Sequence, residues 1–356
     1  MKKSITSIAL IFALIVSLFA LSSCDLIKKW FGGDDNGTDD PAATIVEVTG
    51  SDGLTVNVAV NPTRVAVYDY AILDILDNVG FDNTGIVQLI VPSKTTLPAD
   101  LDYYKNQPDS KVVSGGSLFY VDWDALDIVQ PQLVILGGRS FGMNAAGERL
   151  GAEDNAAFKS STMARYSSTA FVKLSVNSSN SNLAPDLQSN VTALGKIFPS
   201  LKPALDAKLA EILAAMDEIK VKAQASGKKA LFCMMVDQTT LSVFNTSSRF
   251  DMLYEEFGFE AVDADAAAWS EAHGFTAQAE YVLARNPDVI FVLDRSATVG
   301  TGAGYQNFLA DSSIQATDAY KNGNIYNLTG EAWYTMTGGF TAITRMISDI
   351  NQFFAA

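Results

Sequence analysis

EYVLARNPDVIFVLDR, residues 280–295, has an echo at residues 124–139, DALDIVQPQLVILGGR. In each stretch an acid (Glu280, Asp124) stands seven residues before a proline (Pro287, Pro131), and an arginine (Arg295, Arg139) follows that proline by eight. Proline lacks the amide hydrogen and its ring clashes with the preceding turn, so a helix running into it must close. The aliphatic runs that follow, 133–136 and 289–293, are short and lack polar alternation. They read as strands buried on both faces, as in a parallel sheet. Helix-proline-strand units are common in α/β proteins, but agreement at four positions marks this pair as a repeat. Open α/β sheets bind ligands beyond the carboxyl ends of their strands, and that is where each arginine would stand. The repeat therefore predicts an α/β protein of two Rossmann-like lobes, each offering one arginine to a shared cleft.

The 356 residues are enough for two lobes, and 48% hydrophobic content with 18% charged residues describes sizeable apolar cores. The formal charge of −15 repels nucleic acid and anionic headgroups, so neither is an expected partner. Convergent arginines in so acidic a chain run against its overall trend. Cys233 lies in the apolar run ALFCMMV and reads as a small buried hydrophobe. Cys24 ends a leader, residues 1–24, with Lys2 and Lys3, an apolar middle and small residues before the cysteine. This has the layout of a secretory leader, and its apolar run is shorter than the ~20 residues that span a bilayer. Leu21-Ser22-Ser23-Cys24 resembles the bacterial lipobox, which implies that Cys24 is lipidated and anchors the mature chain outside the cytoplasm, away from ATP and NAD(P)H.

Residues 25–44, rich in Gly and Asp, read as a flexible tether. Residues 45–60 carry two alternating runs around Gly50-Ser51-Asp52-Gly53, a hairpin pattern. The first lobe is expected to end near residue 182, with little that is readable in 140–182 beyond a strand at 171–176. A connector over 183–226 follows, dominated by a helix from Pro203 with the stripe Leu205, Leu209, Ile212, Leu213, Met216 and Ile219. Such a helix is a stiff link that limits lobe movement. The second lobe, 227–356, contains the repeat and a loop at 330–339, GEAWYTMTGG, that feeds a last helix at 340–354.

His273 is the only histidine. That excludes a histidine-rich metal site, and no nucleophile motif flanks it. Gly300-Thr301-Gly302-Ala303-Gly304 lacks the strand-turn-helix setting of a nucleotide loop. Arg139, Arg249 and Arg295, with Trp333 and Tyr334, remain. A single arginine is usually a surface ion pair. Three in strand-to-helix loops on one edge could make a pocket for a strongly anionic, planar ligand, since guanidinium groups both donate hydrogen bonds and stack on π faces.

The motifs 61–76, 115–126, 133–139, SSRFDMLYEEFGF (247–259), AHGF (272–275), NPDVIFVLDR (286–295) and EAWYTMTGG (331–339) together resemble a known family. The chain is similar, from about residue 45 to its end, to the substrate-binding lipoproteins of iron-uptake ABC transporters. These are helical-backbone binding proteins that also carry haem and cobalamin; the nearest branch binds ferric catecholate siderophores. The resemblance implies that Arg139, Arg249 and Arg295 hold the anionic catecholate oxygens, and that His273 and Tyr334 can coordinate Fe(III) when the siderophore leaves two positions open. It implies that Asp124 and Glu280 offer one carboxylate per lobe to arginines of the ABC permease. It further implies a lipid-anchored monomer with no intrinsic cofactor, no catalytic activity and a ferric siderophore as ligand. At 140–182 the chain is longer and more polar than the family pattern. A haem or cobalamin receptor, an extracytoplasmic enzyme with His273 as base, and an adhesive surface lipoprotein are the competing readings.

Overall fold

The structure is a computed structural model that describes residues 44–176, 182–262 and 274–355. The leader, Cys24 and the tether up to Ala43, and also His273, lie outside the described residues. Among the described residues, no helix is long and apolar enough to cross a membrane.

β1 (Ile45–Thr49) and β2 (Thr55–Ala59) form the expected antiparallel hairpin, whose Val48 and Val58 are fully buried. β3 (Arg64–Tyr68) then leads into α1 (Tyr70–Asp77), capped by the Asp69 carboxylate, which accepts from the amides of Ala71 and Ile72. β4 (Gln88–Val91) and β5 (Val112–Ser114) precede the first repeat, α2 (Trp123–Val129) and β6 (Leu133–Leu136). α3 (Ala152–Arg165) and β7 (Ala170–Lys173) complete a five-stranded sheet, order β5-β4-β3-β6-β7, with every pair parallel. β6, near its centre, is buried along its whole length, as its unbroken aliphatic run requires.

The strand expected at 171–176 is present as β7, but α3, in the part of 140–182 that carried no readable pattern, was not expected. Its sequence carries no apolar stripe, and only Thr162 is buried. Phe158 packs on the rings of Tyr120, Trp123 and Phe141, and polar contacts to α2 add to it: Trp123 Nε1 donates to Thr162 Oγ1 (2.8 Å), Arg165 pairs with Asp127, and Tyr166 Oη donates to Asp127 (2.8 Å).

α4 (Leu183–Ile197) and α5 (Lys202–Ser226) link the two sheets. α5 starts with Pro203 in its first turn and stops at Gly227, whose φ of 59° suits glycine. Its 25 residues extend about 37 Å. Leu205, Ile212, Met216, Ile219 and Ala223 form its buried stripe.

The second sheet contains β8 (Lys229–Met235), β9 (Leu241–Phe244), β10 (Glu260–Ala261), β11 (Phe275–Ala277), β12 (Val289–Asp294) and β13 (Ile325–Asn327). The order is β11-β9-β8-β12-β13, with β10 on β8. α6 (Ala279–Arg285) precedes β12 as α2 precedes β6. β8, β12 and β13 are parallel, but β9 runs antiparallel to β8. The expected loop at 330–339 begins as a helical turn, α7 (Gly330–Tyr334), and α8 (Phe340–Ala355) closes the chain.

One apolar cluster runs through both sheets. It includes Val65 and Ile135 of the first, Leu73 of α1, Ile212 and Met216 of α5, Phe232 and Phe291 of the second, and Ile343 and Met346 of α8. Polar contacts reinforce the junction: the buried Asp74 of α1 accepts from the amides of Thr341 (2.8 Å) and Ala342 (3.3 Å) at the start of α8, and Arg345 pairs with Asp100. Gly339 is required here, because any side chain would run into the Asp74 carboxylate. The shared core makes the connection stiffer than α5 alone would.

Candidate ligand site

The Tyr334 ring is surrounded by guanidinium groups. Those of Arg249, Arg139 and Arg295 lie 4.8, 5.4 and 5.6 Å from its centroid. Each is positioned differently. Arg139 sits on the turn after β6, where Gly137 N donates to Ser140 Oγ, and its Nη2 reaches the Tyr334 carbonyl oxygen (2.6 Å). Gly137 is needed at that turn, since a Cβ would stand 2.5 Å from the Asp69 carboxylate. Arg295 opens the helical turn Arg295–Thr298, capped by Asp294; its Nε donates to Tyr334 Oη (2.9 Å) and its Nη1 to the Val236 carbonyl (3.0 Å). Arg249 follows β9, which runs opposite to its neighbours, so it does not come from the shared strand edge expected for all three. The turn after Asn245, with Ser247 at φ 66°, carries it to Tyr334, and its guanidinium also lies 4.9 Å from the Phe250 ring.

Next to Tyr334 the helical turn is anchored to α8. Trp333 is fully buried and donates Nε1 to Asp349 of α8 (2.9 Å), whose carboxylate also accepts from the amide and hydroxyl of Thr329. One neighbour of this pair thus serves the core while the next faces the arginines.

The charges shift one another. Burial lowers the Arg249 pKa to about 10, and the positive charges of Arg139 and Arg295 add to that against the restoring effect of Tyr334. Burial by itself would raise the Tyr334 phenol, but the Arg295 hydrogen bond and the three cations outweigh it, leaving the pKa below the ordinary tyrosine value. The Asp69 carboxyl is pushed up to about 6, chiefly by burial, against the amides of Ile72 and Ala71 and the charge of Arg139.

A cavity of about 430 Å³ opens in front of this group, with Asp69, Phe119, Arg139, Arg149, Arg249 and Tyr334 among its lining residues. Arg295 is not in that lining; it props Tyr334 from behind. Arg149 and Asp69 were not singled out from sequence. Asn144-Ala145-Ala146-Gly147 is a turn pattern that would have located the hairpin carrying Arg149; nothing local marks Asp69. Among the described residues, no group of three or more His, Cys, Asp or Glu could hold a metal ion. Asp124 and Glu280 are exposed in the first turns of α2 and α6, and so at the carboxyl-end edge of their sheets. Cys233 is fully buried in β8, and burial raises its thiol pKa.

Comparison with known proteins agrees with this architecture. The petrobactin-binding protein YclQ of Bacillus subtilis is 26% identical over 345 residues, covering 97% of this chain and 98% of that protein. The ferric-anguibactin-binding protein FatB of Vibrio anguillarum is 25% identical over 311 residues, 87% of this chain and 88% of its own. Among solved structures, YclQ superposes with a TM-score of 0.72 over 88% of this chain and 99% of that one, at 25% identity. The periplasmic catecholate-siderophore binding protein VctP of Vibrio cholerae gives 0.70 over 87% and 100%, also at 25%. The periplasmic binding protein pattern itself matches residues 65–332, three quarters of the chain, including Asp69, Phe119, Arg139, Arg149 and Arg249 of the cavity lining, and the chain belongs to that family.

Proposed function

We propose that this protein captures a ferric siderophore of the catecholate class outside the cytoplasm and delivers it to an ABC permease. The observation that carries the reading is the set of three guanidinium groups gathered on one tyrosine beside a cavity, in a chain of net charge −15. Catecholate oxygens are anionic and lie on flat rings, so they can take charge-assisted hydrogen bonds and stacking from the same side chains. The similarity to the petrobactin-binding YclQ and the ferric-anguibactin-binding FatB supports a siderophore ligand, and that to VctP, a catecholate-siderophore binding protein, supports the class.

In this reading Arg139 and Arg249 bind the ligand directly, and Arg295 contributes to binding through the hydrogen bond that it donates to Tyr334 Oη. His273 and Tyr334 complete the coordination of Fe(III) when the siderophore leaves two positions vacant. Ferric iron is a hard acid that accepts phenolate oxygen and imidazole, and the lowered Tyr334 pKa favours the phenolate it would need. Asp124 and Glu280 dock on the permease, and Cys24 carries the lipid that holds the protein at the membrane. The working lobe limits are 45–182 and 227–356, with 183–226 as connector; the protein acts as a monomer without a resident cofactor.

Titration of the full-length protein with ferric siderophores, followed by tryptophan fluorescence and the visible charge-transfer band, tests the reading. Saturable quenching by ferric catecholates and none by haem or cobalamin is the expected result; no saturation by any ferric catecholate would refute it. His273→Ala and Tyr334→Phe should weaken and spectrally shift a two-catechol complex while leaving a three-catechol complex nearly unchanged. Charge reversal at Asp124 or Glu280 should lower uptake while altering ligand affinity by less than about twofold.

A further inference from the structure

Arg149 lines the same cavity but differs from the other arginines there. Arg139 and Arg295 already donate to Tyr334, and Arg249 is packed between Phe250 and Tyr334. Arg149 is exposed, and among the described residues its guanidinium has no ion pair or hydrogen-bond partner.

Its placement is nevertheless built. Residues 142–150 form a tight hairpin in which Met143 and Arg149 are bridged antiparallel. The Asn144 side chain accepts from the amides of Ala146 and Glu148 (both 3.0 Å), and Gly147 takes a φ of 81°. Asn144 Nδ2 also donates to the Glu148 carboxylate (2.8 Å), holding that neighbouring acid on the turn. The base is fastened by Leu150 N to the Gly142 carbonyl and by Met143 N to the carbonyl of Phe119, itself a wall of the cavity. The hairpin thus presents one unspent, planar, five-donor cation at the first-lobe side of the site.

Resting on the siderophore reading above, we infer that Arg149 is a specificity residue, and that the ligand is a ferric catecholate with one further anionic group, a carboxylate, that Arg149 grips. A guanidinium fork fits a carboxylate bidentately, and an exposed cation without an internal partner loses little on turning to it.

The test compares two synthetic ferric complexes on the full-length protein: a two-catechol chelator whose linker bears one free carboxylate, and the same chelator with that group as a neutral amide. Wild type should bind the carboxylate complex about tenfold more tightly than the amide complex. Arg149→Ala should collapse that ratio to near one by weakening only the carboxylate complex, and Arg149→Lys should restore part of it. A wild-type ratio near one, an unchanged ratio in Arg149→Ala, or equal weakening of both complexes would overturn the assignment while leaving siderophore capture standing. If wild type binds neither complex, the assignment falls, while the siderophore reading stands or falls with the titration against the wider set of ferric catecholates.

Discussion

The two copies of the helix-proline-strand unit agree closely in backbone and differ in what their arginines do. α2 ends at Gln130 with φ 50° and ψ 61°, and α6 ends at Asn286 with φ 44° and ψ 62°, each immediately before the proline. Both cap amides donate to the carbonyl of the residue four before, Leu126 or Val282. Yet Arg139 faces the cavity and bonds a main-chain oxygen, whereas Arg295 stands behind Tyr334 and bonds its hydroxyl. The acids beside them differ too. Asp294 directly precedes Arg295 and is spent on Ser296 Oγ and the amides of Ala297, Gly304 and Tyr305. Gly138 holds the matching place in the first copy, and the nearby carboxylate is Asp69, the cap of α1 after β3, which lines the cavity. Local sequence repeats a backbone; the side chain's task comes from whatever the rest of the fold sets opposite it.

The largest effect should come from removing the support of Tyr334, on which both arginines depend. Asp349→Ala leaves Trp333 Nε1 and the Thr329 amide without their buried acceptor, and should cost about 2–4 kcal/mol of stability in denaturant unfolding. A loss below about 1 kcal/mol would mean that apolar packing alone fixes the platform.

The asymmetry itself can be measured by a double-mutant cycle. Arg295→Ala and Arg139→Ala should each weaken ferric-catecholate binding by about 1–3 kcal/mol. Combined with Tyr334→Phe, Arg295→Ala should be strongly non-additive, because the hydroxyl is its partner; Arg139→Ala should be nearly additive, because its carbonyl partner survives. Arg295→Ala should also raise the Tyr334 pKa in a phenolate absorbance titration. Equal coupling energies would erase the distinction between the two copies.

A smaller effect isolates Asp69. Its folded pKa of about 6 lies above its ordinary 3.8, so the folded state holds the proton more tightly. Its contribution to stability is therefore lost as pH rises through about 6, and Asp69→Asn should flatten that part of the stability profile while keeping the helix cap. In binding, protonation removes a negative charge from an anion site. The affinity of wild type relative to Asp69→Asn should rise roughly threefold as pH falls through about 6. A constant ratio across that range would show that Asp69 is shielded from the ligand.

The smallest change makes the two copies more alike. Left-handed backbone costs most L-residues about 1–2 kcal/mol, and asparagine tolerates it better than glutamine. Gln130→Asn should stabilise the fold by roughly 0.5 kcal/mol, seen as a small rise in Tm, whereas Asn286→Gln should do the reverse.

Period and punctuation alone carried a good part of the architecture. The aliphatic runs of β6 and β12, the hairpin at 45–59, the stripe of α5 and the last helix depend on neighbours within a few residues, so their pattern is visible in the string. Arg139, Arg249 and Arg295 could be picked out for the same reason, as arginines after short strands, and Tyr334 as an aromatic in the late loop at 330–339. Other features required the folded chain. α3 has no apolar stripe because it is held by contacts to residues about forty positions earlier. The reversed direction of β9 is a choice of pairing that its four residues cannot encode. Asp69 and Arg149 reach the cavity from segments 80 positions apart, and Arg295 leaves its lining because Tyr334 stands in front of it. Backbone conformation is decided by local sterics and local burial, but the direction of a side chain is decided by packing against residues that only the tertiary fold brings near.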